Sequence, residues 1–579
     1  MPKQGSHTTT LRIMETSDVH GQLLSYDYFA QAEQPGMGLL ATAELIQQAR
    51  AEQPLHVLIE NGDLIQGSAL TDWAVAEFPI TSSTHPVIRL LNALHYDVAN
   101  LGNHEFNFGL DYLAHTYRDA EFPVISSNLN LLQNAPDELQ QRLRKIGWVK
   151  REVTTDAGQS IPLKIAVIGV LPPQIMQWDQ QHLEHQVTVN DMLTSAQAAA
   201  LQARDQGADV VVLAAHTGMP KDTANPENKE QTGWLLAGIS DIDAILLGHQ
   251  HEIFPGTEVY DLLPEVDSSK GTVRGVPAVQ PGVYGSHLGL IDLQLTYDFA
   301  EQRWQVSDFV VESRPVTEQG ATNPRLRELV ADAHQATLQF VEQPVGQTAQ
   351  PLSYKTARWR PSSAVQFVQR AQAWQAEQLI KANDLPSLPL LSAAAPFDAA
   401  YAAEESATHI AAGEITRGAI GDLYRYPNTL DVVKVNGAQL RAWLERSAEG
   451  FTSVANLDEG APSCWELIDR DVPHYNFDTI LGVSYAIDVR KAVGQRIVEL
   501  SYAGQAVSDD QEFYVATNNY RANGGGNFPH LDGQTVVARG ADMLADVLLG
   551  YIGSLPERRY TKDLEQHWKV IGIGCGGRI

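Results

Sequence analysis

Leu11-Arg12-Ile13-Met14-Glu15-Thr16-Ser17 runs directly into Asp18-Val19-His20. A short, β-rich apolar run that stops at polar residues reads as a buried strand, and this one delivers two metal-ligand residue types at its carboxyl end. The pattern recurs. His56–Glu60 runs into Asn61-Gly62-Asp63, Asp209–Ala215 into His216, and Ile242–Leu247 into Gly248-His249-Gln250-His251. The shorter run Asp97–Leu101 leads to Gly102-Asn103-His104-Glu105. In open α/β sheets, ligands sit beyond the carboxyl ends of the strands. Five separate segments are therefore expected to bring Asp, Asn and His side chains to one edge of one sheet, which is the arrangement a dinuclear metal site needs.

Helix-like segments separate these runs. Met37–Arg50 carries a broad apolar face, and Asp191–Asp205 is Ala-rich with Asn190 as its expected N-cap. Lys164–Leu171 reads as a further buried strand that bears no ligand and is closed by Pro172-Pro173. The alternation over residues 10–315 predicts βαβ units and an α/β domain. Residues 316–345 read as a linker followed by one helix, Pro324–Glu342, capped by Asn323. The chain overall reads as α+β, and residues 346–579 read as the second domain. It has a strong helix over Ser362–Asp384, a strand over Leu385–Ala393 that Pro386 and Pro389 would push to a sheet edge, and a Gly-rich loop at Asn523–Asn527.

A chain of 579 residues is too long for one core, which fits this division. Its net charge of −29 argues against a nucleic-acid polymer or an anionic membrane as partner, since both need a cationic face. An acidic protein still binds phosphate when metal ions supply the local positive charge. The chain has no run of about 20 apolar residues, the length a membrane helix needs. The segment Met1–His7 lacks a signal peptide's apolar stretch, so read literally the chain stays in the cytoplasm. The two cysteines, Cys464 and Cys575, are either a pair or two free thiols.

Hard carboxylate and amide oxygens beside imidazole nitrogens suit Zn, Mn, Co and similar divalent cations. The candidate set is Asp18, His20, Asp63, Asn103, His216, His249 and His251. Asp18 and His20, like His249 and His251, would share one side of an extended segment. The two oxygens of Asp63 could serve two different ions, and a cation pair clamps a phosphoryl oxygen together with the attacking water. Any one of the seven, taken alone, is more commonly a turn residue or a hydrogen-bonded core group. The reading rests on five segments agreeing in order and position.

The order Asp-x-His, Gly-Asp, Gly-Asn-His-Glu, His, Gly-His-x-His resembles the calcineurin-like metallophosphoesterases. The two-domain layout resembles their 5′-nucleotidase family. Three C-terminal segments narrow this further: Asp422-Leu423-Tyr424-Arg425-Tyr426-Pro427-Asn428-Thr429-Leu430, Tyr475-Asn476-Phe477-Asp478, and Asn518-Asn519-Tyr520-Arg521-Ala522 before Gly524-Gly525-Gly526. They look like the bifunctional 2′,3′-cyclic-nucleotide 2′-phosphodiesterase/3′-nucleotidases.

That resemblance implies a four-layer α/β/β/α metallophosphoesterase domain joined by a helix to a C-terminal α/β nucleotide-binding domain. It implies two divalent cations, one on Asp18, His20, Asp63 and His251 and the other on Asp63, Asn103, His216 and His249. His104 matches the family's catalytic histidine, which donates to the phosphoryl oxygens. Asn107 stands where 5′-nucleotidases have the aspartate that orients that histidine, which leaves Glu105 or solvent to tune His104. Tyr475 and Tyr520 match the positions that sandwich the base, with Phe477 as the alternative to Tyr475 and Asp478 as a ribose contact.

The implied reaction is metal-dependent opening of 2′,3′-cyclic nucleotides to 3′-nucleotides, followed by hydrolysis to nucleoside and phosphate. A periplasmic location is implied with it, while the oligomeric state is left open with a monomer favoured. Two other readings compete. One is a 5′-nucleotidase or UDP-sugar hydrolase, against which Asn107 and the Tyr-Asn-Phe-Asp segment argue. The other is a non-catalytic nucleotide-binding protein, against which the complete ligand set and His104 argue.

Overall fold

Ile13, Val57 and Val98 come from three strands expected to be buried, and all three side chains are inaccessible to solvent. They meet Val167, Val212 and Leu246 of a different sheet in one apolar cluster. The computed structural model describes residues 6–571 except 78–82, 156–157, 221–229, 257, 318–322, 427 and 453–463. The chain separates into two compact units, Met1–Leu338 and Gln339–Ile579.

In the first unit a seven-stranded sheet is ordered Arg303–Pro315, His287–Asp298, Ser6–Thr16, His56–Glu60, Val98–Asn100, Val124–Ile125, Leu143–Arg144. Ser6–Thr16 runs parallel to His56–Glu60, with Ile13 opposite Val57, and that strand runs parallel to Val98–Asn100. The second sheet contains the parallel strands Ser160–Val170, Val210–Ala215, Ala244–Leu247 and Val276–Pro281 side by side. Helix Leu39–Glu52 packs on the first sheet and helix Met192–Asp205 on the second. The result is the α/β/β/α layering the resemblance implies. The ligand-bearing segments thus do not lie on one sheet, as the strand pattern predicts, but at matching ends of two sheets. Strand periodicity identifies a buried strand without saying which sheet it joins.

Helix Met192–Asp205 buries Ala196, Ala199, Ala200 and Ala203, small side chains on one face that let it sit close to the sheet. Its cap is Asp191, not Asn190: the Asp191 side chain accepts from the Thr194 N–H at 2.8 Å, an interaction worth about 1 kcal/mol. Where one helix was expected near residue 330 there are two, Pro324–Glu328 and Ala331–Val341, the first capped by Asn323.

In the second unit a five-stranded sheet is ordered Thr479–Leu481, Leu390–Ala394, Glu512–Asn518, Thr429–Asn436, Val536–Met543. Leu390–Ala394 is therefore an interior strand. Pro386 and Pro389 fall before it, so no ladder N–H is lost. Helix Ser363–Ala382, capped by the Ser362 side chain, covers this sheet. Cys464 is disulfide-bonded, and Cys575 lies outside the described residues. Among the described residues, no helix is long and apolar enough to cross a membrane.

Candidate metal centre

Each candidate ligand follows a strand end at short range. Asp18 and His20 follow Ser6–Thr16, Asp63 follows His56–Glu60, Asn103 follows Val98–Asn100, His216 follows Val210–Ala215, and His249 and His251 follow Ala244–Leu247. The backbone there is not extended. Asp18, His20, Asp63, His249 and His251 all adopt left-handed φ values, between 51° and 70°. For non-glycine residues that conformation costs of order 1–3 kcal/mol and persists only where the surroundings impose it. The local bend turns neighbouring side chains into one corner, where an extended chain would carry them past it. Gly102 is required by the same crowding. A Cβ there would lie 2.3 Å from Asp63 Oδ1 and 2.8 Å from the His216 ring.

Two donor groups result. Asp18, His20 and His251 form one, and Asp63, His216 and His249 the other. Within each group the ligand atoms lie within 4.8 Å of one another. Asn103 joins the second group, its Oδ1 2.8 Å from His249 Nδ1.

The hydrogen-bond pattern tests whether a cation fits. His216 Nδ1 lies 2.8 Å from the Asn61 carbonyl and His20 Nδ1 lies 2.8 Å from the Gln66 carbonyl. A carbonyl only accepts, so both Nδ1 atoms carry a hydrogen, and in the neutral rings both Nε2 atoms present a lone pair. His216 Nε2 faces Asp63 Oδ2 at 3.0 Å, and His20 Nε2 faces His251 Nε2 at 3.1 Å. Asp63 Oδ2 and His216 Nε2 are buried without any hydrogen-bond partner. On His249 the arrangement is reversed. Nε2 lies 3.0 Å from the Glu230 carboxylate, so Nε2 carries the hydrogen and the Nδ1 lone pair faces the Asn103 oxygen. Electron pairs converging at about 3 Å need a positive charge between them, and a divalent cation on oxygen and imidazole donors supplies it.

The electrostatics say the same. Burial would raise the Asp63 carboxyl, but His216 and His104 hold it well below the usual carboxylate range. Burial would lower His216, yet Asp63 and Asp18 push it up to about 10. The corner therefore draws in a proton where no other cation is bound. Burial, with His251 beside it, pushes His20 down to about 4, which keeps that imidazole neutral and able to ligate.

His104 borders both groups. Its ring lies 5.3 Å from that of His20, and its Nε2 lies 3.9 Å from Asp63 Oδ2. The His104 backbone N–H donates to Asp63 Oδ1 at 2.7 Å, so Oδ2 is the oxygen left open. Its side chain is partly exposed while those of Asp63 and His216 are buried, so substrate can reach it.

Residues 11–252 match the calcineurin-like phosphoesterase family and residues 344–533 match the 5′-nucleotidase C-terminal domain. The chain is 38% identical to a 2′,3′-cyclic-nucleotide 2′-phosphodiesterase/3′-nucleotidase of Salmonella typhimurium, over 98% of this chain and 89% of that protein. The chain belongs to the calcineurin-like phosphoesterases that carry a 5′-nucleotidase C-terminal domain. It is also 36% identical to the trifunctional nucleotide phosphoesterase protein YfkN of Bacillus subtilis, over 97% of this chain but only 39% of that longer protein. Among solved structures, a putative 5′-nucleotidase from Staphylococcus aureus has the same fold, at a TM-score of 0.70 and 24% identity, covering 97% of this chain and 100% of that one.

In this phosphoesterase, Glu105 does not tune His104. Its carboxylate accepts from the backbone N–H groups of Asp63, Leu64, Ile65 and Gly102, tying together the loops that carry Asp63 and Asn103. What touches His104 is Asn107, whose Oδ1 accepts from Nδ1 at 2.7 Å. Behind it, Asn107 Nδ2 donates to Asp179 Oδ1 at 2.9 Å. Burial, against the opposing bond from Asn107, pushes Asp179 up to about 6. The sequence reading missed Asp179, which follows Ser160–Val170, the strand that bears no ligand. It missed Glu230 as well.

In the C-terminal unit the four predicted nucleoside contacts divide. Tyr475 and Tyr520 are exposed, at 37% and 46%. Phe477 and Asp478 are not available to a nucleoside. Phe477 is fully buried against Phe451 and Trp568. Asp478, also buried, accepts from Trp443 Nε1 and Arg521 Nε, each at 2.8 Å. Strand alternation accounts for neither, because both residues lie in an irregular segment before Thr479–Leu481. The Gly-rich loop has a packing role. A Cβ on Gly525 would lie within 2.5 Å of three Tyr520 ring atoms, so only glycine admits that ring.

Proposed function

We propose that this phosphoesterase opens 2′,3′-cyclic nucleotides to 3′-nucleotides and then hydrolyses these to nucleoside and phosphate. The observation that carries the reading is the pair of convergent donor groups bordered by a substrate-accessible His104. The identity to the Salmonella enzyme over 89% of its length supports this substrate class.

Asp18, His20 and His251 would hold one divalent cation and Asn103, His216 and His249 the other, with the Asp63 carboxylate among the second group's donors. Bound there, the cations would supply Lewis-acid activation of water and positive charge for the phosphoryl oxygens. The chain's own groups do the rest. Ser17 Oγ and the His249 N–H bond to the Asp18 carboxylate at 2.6 Å and 3.0–3.1 Å and aim it at the corner. Glu105 fixes the two loops. His104 presents Nε2 toward the site and, when protonated, donates a hydrogen bond to the charge that builds on the equatorial oxygens. Tyr475 and Tyr520 offer ring faces that stack on any base. The disulfide on Cys464 supports a compartment outside the cytoplasm, such as the periplasm.

Product analysis on cyclic 2′,3′-AMP, with and without chelator, tests the proposal. The expected course is 3′-AMP followed by adenosine and phosphate, abolished by chelation. Release of phosphate from 5′-AMP but not from 3′-AMP would overturn it in favour of a 5′-nucleotidase.

A further inference from the structure

His104 is held by a chain of two side chains, and the order of donors along it is determined. A carboxylate only accepts, so Asp179 Oδ1 must face the Asn107 NH₂ group, as it does at 2.9 Å. The Asn107 amide oxygen then points to His104, 2.7 Å from Nδ1. An amide oxygen also only accepts, so Nδ1 carries the hydrogen and Nε2 is the atom turned toward Asp63. Without Asp179 the amide could rotate by half a turn, presenting NH₂ to Nδ1 and leaving the Nδ1–H of the protonated ring, the form that donates from Nε2, without an acceptor.

Asp179 is an expensive group to bury for a purely structural task. It is 5% exposed, and its Oδ2 has no hydrogen-bond partner. A buried carboxylate carries a large desolvation penalty unless it is paired, and a neutral amide could have held Asn107 equally well. What an amide lacks is charge. A charged acceptor strengthens the bond it receives and polarises the next bond in the chain.

We infer that Asp179 is a positioning residue for the phosphoester reaction, acting through Asn107 to fix the His104 ring with Nε2 toward the donor groups and to supply a carboxylate's charge at one remove. The inference rests on the reading of His104 as the group that donates to the phosphoryl oxygens. It gives Asn107 a purpose. The carboxylate expected beside the histidine is present, displaced by one link and carried on a different segment.

The test compares wild type, Asp179→Asn and the exchange variant Asn107→Asp/Asp179→Asn on bis-p-nitrophenyl phosphate, with metal content and melting temperature read on each. Asp179→Asn should lower kcat about 10- to 100-fold with KM, metal content and melting temperature unchanged. The exchange variant places the carboxylate directly on His104 with an amide behind it, and should recover kcat to within about fivefold of wild type. The inference is overturned if Asp179→Asn keeps wild-type kcat, if it loses metal or its melting transition, or if the exchange variant is no faster than Asp179→Asn. A wild type without metal-dependent turnover would instead sink the phosphoesterase reading and the relay with it, so the two failures are distinguishable.

Discussion

The C-terminal unit and the metal corner of the N-terminal unit treat buried charge in opposite ways. In the C-terminal unit, the Asp478 carboxylate is closed by Arg521 and Trp443, each bond 2.8 Å. Glu445 likewise accepts from the backbone N–H groups of Arg496 and Ile497. In the N-terminal unit, the ion-pair partners of Asp18 and Asp63 among the described residues are histidines. Buried polar groups need partners. A unit that completes them internally gains a rigid frame, and one that leaves them converging and open gains a place for a cation. The first suits a platform that presents exposed rings, and the second suits a reaction centre.

Four experiments would break or sharpen that contrast. The largest effect is expected from Asp63→Ala, which removes the buried carboxylate of the second donor group. Turnover on bis-p-nitrophenyl phosphate should fall about a thousandfold, with metal content reduced by elemental analysis. Retention of both metals would break the comparison at its centre. Next, Arg521→Met leaves Asp478 buried without its counter-ion, with Trp443 Nε1 as its remaining side-chain donor. Stability of the C-terminal unit should drop by about 3–5 kcal/mol in urea unfolding while metal content stays intact. Arg521→Met with Asp478→Leu should recover much of that loss, as expected of a closed pair and not of an open site.

Tyr475→Ala with Tyr520→Ala should raise KM for cyclic 2′,3′-AMP about 10- to 100-fold, from roughly 1–3 kcal/mol of stacking for the one base. KM for bis-p-nitrophenyl phosphate should stay as it was, and equal effects on both substrates would remove the platform. The smallest effect is on pH. Burial holds His567 down to about 4 against its ordinary 6.5, so its ring stays neutral in the folded chain at a pH where the unfolded chain's ring takes up a proton. Its contribution is complete above 6.5 and is lost as pH falls toward 4, at about 1 kcal/mol per unit. Unfolding at pH 7.5 and 5 should show the loss, and His567→Gln should remove the share of it that His567 contributes.

The metal-ligand candidates were legible because each lies within a few residues of an apolar run whose strand character is local. Asp18 after Ser17 and His216 after Ala215 need no tertiary knowledge to be placed at strand ends. Asp179 was not legible, because its strand ends in Pro172-Pro173 and a short helical stretch intervenes before the carboxylate reaches Asn107. The roles of Phe477 and Asp478 were misread for a related reason. Tyr475, Phe477 and Asp478 sit in one irregular segment, where no period separates an outward ring from an inward one.

By itself, then, the order of residues determined that several strands end in oxygen and imidazole donors, and that a second domain follows. Only the tertiary structure decided that those strands belong to two facing sheets, that left-handed backbone turns the donors into two groups, and that Asp179 stands behind Asn107. The physical reason is range. Strand period and strand end are set by neighbours a few residues away, whereas convergence, burial and the partner of a charged group are set by residues as far apart as Asp18 and His249.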